Sequence, residues 1–375
     1  MRDEIEKMMD RGNHCHRQDL LDEARDLFKN AARSARSGGY PDLQADALFK
    51  LGMIRFSQGD FHKARRHWEM ARDLYIEQQD TLRQADVLYN LGNLEMSQGN
   101  HHQGAVNFKQ AYSHYVAEEK THNTADAAFS LALCSMETED YATAFDSFFD
   151  ALDIYEELED REATADTKYQ IGKMFNRIEE PAQALNYFKG SLKIYQDLDM
   201  ETRIADCHFQ LGNVLLDQEK PDEALEEMKL ALDAYSRAGE NRYQAETLLN
   251  MGTACEEKKD SEQAKKYYME ADKLFQQEED HKGSGDALYN QGSLEEEADN
   301  NMEALKQYTR SLNAYRRGND LEGQGDAYFA MGRVYRRMKD IENSYHFYKQ
   351  ALVCFEKNDN INRAVKTREE MQEII

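Results

Sequence analysis

Small, bulky and acidic side chains recur along this chain at a fixed interval of 40 positions, and the register does not slip between residue 12 and residue 351. A small residue stands at Gly12, Gly52, Gly92, Ala132, Gly172, Gly212, Gly252, Gly292 and Gly332. Two more small columns keep step, one from Ala24 through Gly104 to Ser344 and one from Ala31 through Ser191 to Ala351. Between them runs a bulky column of Phe28, Trp68, Phe108, Phe148, Phe188, Met228, Tyr268, Tyr308 and Tyr348, each four residues after a small position. A spacing of four puts both side chains on one face of a helix, so a large group sits one turn from a small one where two helices approach closely.

Self-similarity at this period predicts stacked helical units whose core is continuous along the chain. Each unit reads as helix A, a short turn, helix B and a longer turn. In the third, helix A covers about 82–97, the turn holds Gln98-Gly99-Asn100, and helix B runs over about 101–117. Asp140, Asp260, Asn300 and Asp340 stand where they can cap the helix that follows, and Pro181 and Pro221 open B helices, where a missing N–H is harmless. The B-to-A connections fall near Asp80, Lys120, Asp160, Asp199, Glu240, Asp280 and Asp320. The units are expected at about 3–40, 41–80, 81–120, 121–160, 161–200, 201–240, 241–280, 281–320 and 321–358. A capping helix over about 360–374 turns Ala364, Met371 and Ile374 toward the array and Arg363, Lys366, Arg368 and Glu369 outward.

The segment Leu88-Tyr89-Asn90-Leu91-Gly92, with Ala105, Phe108, Ala111 and Tyr115 downstream, resembles the tetratricopeptide repeat, and the likeness extends over about residues 3–357. The resemblance implies an all-α fold, a right-handed α-solenoid superhelix of nine helix-turn-helix repeats and a capping helix, in one array spanning 1–375. This unit is longer than the usual repeat of about 34 residues. Its aromatic-Asn-Leu-Gly segment is similar to the repeats of the Pins/LGN polarity adaptors, kinesin light chains and bacterial Rap-type regulators. Those families bind peptide or protein segments on the inner face. The resemblance therefore implies a non-enzymatic adaptor that holds a protein or peptide in a concave groove lined by the A helices.

The inner-face columns indicate which partner is expected. Six residues before each small position stand Glu6, Asp46, Asp86, Asp126, Asp166, Asp206, Glu246, Asp286 and Asp326, all acidic. Three residues on comes a mostly aromatic column, and beside it a largely amide one. The candidate contacts are Asp86, Tyr89, Asn90, Asp126, Phe129, Asp166, Tyr169, Gln170, Asp206, Phe209, Gln210, Asn213, Asn250, Asp286, Tyr289 and Asn290. Carboxylates suit Lys and Arg, while amides offer a peptide backbone both a donor and an acceptor. Each column also has an internal explanation: aromatics as inter-repeat core, acids serving the helix macrodipole or pairing with basic neighbours, amides bonded across repeats. A Lys/Asn/Arg carboxylate clamp, as in the chaperone-tail adaptors of the superfamily, is disfavoured, because an anionic tail would meet Asp86 and Asp126. Arg316, Arg317, Arg333, Arg336 and Arg337 gather near the last repeat, and Glu256, Glu257, Glu295, Glu296 and Glu297 mark the two before it. Such blocks would orient a bound peptide, stack arrays head to tail, or simply form a solvated face.

A net charge of −25 opposes binding to nucleic acid or anionic membrane, which needs a basic footprint, and favours a basic or amphipathic partner. No 18-residue apolar run is present and the chain opens on an acidic helix, so a cytoplasmic protein without direct membrane insertion is expected. The five cysteines form no CxxC pair, and in His14-Cys15-His16 the i and i+2 side chains diverge on a helix with no second ligand group nearby, so neither metal nor cofactor is expected. No nucleophile elbow, phosphate loop or HExxH is visible. Two alternatives remain in view: a scaffold self-assembling through its convex face or ends as a homo-oligomer, and a peptide-sensing regulator of the Rap type. The second is disfavoured because a repeat starting near residue 3 leaves no room for the separate N-terminal effector bundle of that group.

Overall fold

Helices of about 17 residues alternate with three-residue turns, so two of each fill one 40-residue period. The computed structural model describes residues 1–118 and 121–373, and among these it holds nineteen α-helices and no strand. The chain divides into two compact units, Met1–Ile178 and Glu179–Ile375. The first contains α1 (Arg2–Arg17), α2 (Leu21–Gly38), α3 (Pro41–Ser57), α4 (Phe61–Glu77), α5 (Thr81–Ser97), α6 (His101–Glu118), α7 (His122–Glu137), α8 (Tyr141–Glu157) and α9 (Arg161–Arg177). The second contains α10 (Pro181–Asp197), α11 (Glu201–Asp217), α12 (Pro221–Ala238), α13 (Asn241–Glu257), α14 (Ser261–Gln277), α15 (His281–Glu297), α16 (Asn301–Arg317), α17 (Leu321–Arg337), α18 (Ile341–Lys357) and α19 (Ile361–Glu373).

Local chemistry sets the helix boundaries. Asp60, Asp140, Asp260 and Asp340 each accept the N–H of the third residue of the helix they precede, and Pro41, Pro181 and Pro221 occupy first turns. Asn300, expected as a cap, makes no such bond; its amide donates to Glu295 instead, at 2.8 Å. At most described C-termini the turn holds a left-handed residue and closes as a Schellman motif: Asp60 N–H reaches the Arg55 carbonyl at 2.8 Å and Gly59 N–H the Phe56 carbonyl at 2.9 Å. Gly59 and Gly99 suit that conformation, whereas Glu139 and Lys259 adopt it with φ of 60° and 62°.

Each helix packs on the next within its unit, and the small and bulky columns meet where they do. A Cβ placed on Gly52 would lie 2.3 Å from the Trp68 indole, and one on Gly252 equally close to the Tyr268 ring. The close approach therefore requires glycine there. A helices also touch the next A helix, α1 with α3 and α3 with α5 in the first unit, and α11, α13, α15 and α17 in series in the second. Among the described residues no pair of B helices packs to that degree, so the A helices form the inner row of each unit. The terminal helix α19 buries Ala364 and Thr367 and leaves Arg363, Lys366, Arg368 and Glu369 exposed. Lys120 and Ile374, expected at a turn and on the capping helix, lie outside the described residues.

Candidate functional site

All sixteen residues singled out from the columns are partly exposed, and all lie on A helices. Eight, from Asp86 to Gln170, stand on α5, α7 and α9; the other eight, from Asp206 to Asn290, stand on α11, α13 and α15. Helical spacing explains the shared environment: Leu88, Leu91 and Gly92 of α5 turn into the core, so Asp86, Tyr89 and Asn90 sit on its margin.

The acidic column has a partner that the sequence reading did not name. A tyrosine hydroxyl from the B helix of the same repeat, 29 residues on, donates to one carboxylate oxygen. The pairs are Tyr75 to Asp46, Tyr115 to Asp86, Tyr235 to Asp206 and Tyr315 to Asp286, each at 2.7 Å, and Tyr155 to Asp126 at 2.5 Å. Where the tyrosine register holds Ala35, Phe275 or Phe355, an arginine serves instead: Arg2 on Glu6 at 3.0 Å, Arg242 on Glu246 at 3.2 Å and Arg363 on Asp326 at 2.7 Å. The signal was present, since Tyr75, Tyr115, Tyr155, Tyr235 and Tyr315 keep the 40-residue period. Burial pushes the Asp86 and Asp286 carboxyls above the usual range, against the lowering effect of the tyrosine donor. It also pushes the Tyr115 and Tyr315 phenols far up, reinforced by the neighbouring carboxylate. Each clasp uses Oδ1; Oδ2 of Asp86 faces Arg83 at 3.6 Å and Oδ2 of Asp206 faces Arg203 at 3.7 Å.

The aromatic column packs edge-on or tilted against the bulky column, so it is half core. Tyr89 meets Phe108 with centroids 5.4 Å apart, Phe129 meets Phe148 at 5.8 Å and Tyr289 meets Tyr308 at 5.3 Å. The amides are also engaged: Asn250 donates to Asn213 across neighbouring repeats at 2.8 Å, and Asn90 donates to the Asp86 carbonyl at 2.7 Å. Three of the arginines near the last repeat are likewise taken up inside the second unit, Arg333 and Arg337 by Glu296 and Arg336 by Glu370 and Glu373.

In the first unit the columns open into a cleft of about 310 Å³ across α3, α5 and α7, with Tyr115 of α6 at its base. Its walls are Phe49, Lys50, Met53, Arg83, Asp86, Tyr89, Asn90, Asn123 and Asp126. Apolar rings, two carboxylates, two amides and two cations thus converge, which is the chemistry of a site that takes a polar side chain on an apolar stem. The five cysteines are free, and among the described residues no group of His, Cys, Asp and Glu is placed to hold a metal. No described helix is long and apolar enough to cross a membrane.

A family model described as the tetratricopeptide repeat matches residues 4–77, 123–197, 203–277 and 283–357. Among solved structures the chain is similar to the apo form of RapI, with 17% identity and a TM-score of 0.57 over 74% of this chain and 99% of that one. It is similar also to a signal-transduction ATPase with numerous domains and a tetratricopeptide repeat sensor from Pyrococcus horikoshii. That match has 14% identity and a TM-score of 0.64 over 88% of this chain and 52% of the other. A third is aspartyl phosphate phosphatase F from Bacillus subtilis, with 16% identity and a TM-score of 0.52 over 79% and 75% of the two chains. At these identities the likeness is one of fold. Comparison with curated proteins gives no match.

Proposed function

Because the chain belongs to the tetratricopeptide repeat family, an interaction fold, we propose that it is a non-catalytic scaffold holding a basic or amphipathic protein segment on the A-helix face of its units. The observation that supports this most is the cleft across α3, α5 and α7. There Asp86 and Asp126 each give one oxygen to a tyrosine, the second oxygen of Asp86 faces Arg83 at 3.6 Å, and aromatic and amide side chains line the same cleft. A Lys or Arg of the partner would lie on the two carboxylates, sharing or displacing the exposed Arg83 at Asp86, its stem against Phe49 and Tyr89, and its backbone within reach of Asn90 and Asn123. The same register in the second unit, at Asp206, Phe209, Gln210, Asp286, Tyr289 and Asn290, repeats that chemistry. Five free thiols fit a reducing compartment, the cytoplasm.

Capture of basic segments from a peptide array by the full chain tests the reading. Asp86→Asn with Asp126→Asn keeps an acceptor for each tyrosine while removing the charge, so the circular dichroism should hold. Affinity for the best basic segment should fall about tenfold or more, as loss of charge-assisted hydrogen bonds implies. Equal affinity in wild type and double variant would remove the proposal.

A further inference from the structure

A buried clamp joins α15 to α17. Glu296, 3% exposed, accepts from the Tyr308 hydroxyl at 2.9 Å and takes Nε and Nη2 of Arg333 on its two oxygens, both at 2.8 Å. Arg337 completes it, Nη1 donating to the Glu296 carbonyl at 2.5 Å and Nη2 lying 3.3 Å from the carboxylate. Forty residues earlier the same construction is present with its cations missing. Glu256 holds the register of Glu296, and the Tyr268 hydroxyl donates to its Oε2 as Tyr308 does to Glu296. The positions matching Arg333 and Arg337, however, are Ser293 and Glu297.

Glu256 therefore stands, with the same tyrosine donor, in the register of a carboxylate that takes a guanidinium, and no described residue supplies one. Among the described residues no cation pairs with it; burial and the nearby Glu297 instead push its carboxyl above the usual range. Glu256, Ser293 and Thr253 are partly exposed and Glu297 is exposed, so the place is open to solvent. Ser293, partly exposed, is far shorter than the arginine that stands in its register one repeat on. The seven other repeats carry His16, Phe56, Met96, Met136, Asn176, Leu216 and Arg336 in this register, none a carboxylate, so the feature is particular to this position.

We propose that Glu256 receives an arginine of a partner protein segment, bidentate on its two oxygens in the manner of Arg333 on Glu296, with Ser293 and Glu297 beside it. This rests on the scaffold reading above and names one side chain of the partner. Arginine is favoured over lysine because the internal copy uses two parallel N–H donors in a fixed fork, which an ammonium cannot supply.

The test titrates acetyl-Gly-Arg-Gly-amide, with its lysine and citrulline counterparts, into the full chain and follows the labelled methyl group of Thr253 by NMR. The arginine peptide should shift that signal saturably, the lysine peptide should bind several-fold more weakly, and citrulline should be silent. E256Q should abolish the response. S293R should abolish it as well and raise Tm, because the built-in guanidinium then occupies the carboxylate; this variant keeps the test informative if E256Q folds poorly. Equal responses to arginine and citrulline, an undiminished response in E256Q, or S293R that neither blocks the peptide nor stabilises the fold would each overturn the proposal. Asp86→Asn with Asp126→Asn should leave the Thr253 response intact. Failure of basic-segment capture by the A-helix face is thereby separable from failure at Glu256.

Discussion

At Glu246 and Asp326, where Phe275 and Phe355 stand in the tyrosine register, an arginine holds the carboxylate, so one hydroxyl separates the two arrangements. In Tyr115→Phe, Asp86 keeps its half-buried position and loses the donor at 2.7 Å, so urea unfolding should show a loss of about 1–2 kcal/mol. The charge on Asp86 acts in the other direction. Its folded-state carboxyl lies above the ordinary value of 3.8, so the protonated form is favoured by the fold. That contribution is fully present below pH 3.8 and is lost as pH rises through the folded value. Asp86→Asn should therefore be at least as stable as wild type at neutral pH, with its relative advantage shrinking toward pH 3 and below. An acidic residue at Asp86 that costs stability at neutral pH fits the proposed contact with a basic partner.

Among the elements, the turns carry strain that the helices on either side impose. The middle turn residue must be left-handed to close the Schellman motif, and Glu139 and Lys259 accept φ of 60° and 62° there. Glu139→Gly should raise stability by about 0.5–1 kcal/mol, the αL cost outweighing the added freedom of glycine in the unfolded chain, as read from Tm or urea midpoints. Helix lengths, capping aspartates and the Gly52–Trp68 type of contact were legible because each depends on residues in fixed register. Asn300 was misread as a cap: its Nδ2 donates to the buried Glu295, and in that position its Oδ1 accepts no N–H of the helix that follows. The partner of the acidic column was overlooked for a related reason. Tyr115 lies 29 residues from Asp86, a distance that means nothing until helix B folds back on helix A. Glu256 and Glu296 looked alike as members of one acidic block; only the facing residues on the next A helix, Ser293 and Arg333, separate an open carboxylate from a neutralised one.

On the scale of the whole molecule, a net charge of −25 acts on folding and on binding with opposite signs. Like charges repel more strongly in the folded chain than in the expanded one, and salt screens them over a Debye length of about 10 Å at 0.1 M. Raising salt from about 0.05 to 0.5 M should therefore raise Tm, despite weakening exposed pairs such as Arg242 with Glu246 that contribute little singly. The same change should weaken capture of a basic segment, because attraction to Asp86, Asp126 and Glu256 is screened in step. Measured together on one preparation, the two trends distinguish the sources of affinity. A Tm that rises while affinity falls supports carboxylates as the principal contacts. A Tm that rises while affinity stays constant assigns the binding to the rings of Phe49 and Tyr89 and to the amides, whose contacts salt screens far less.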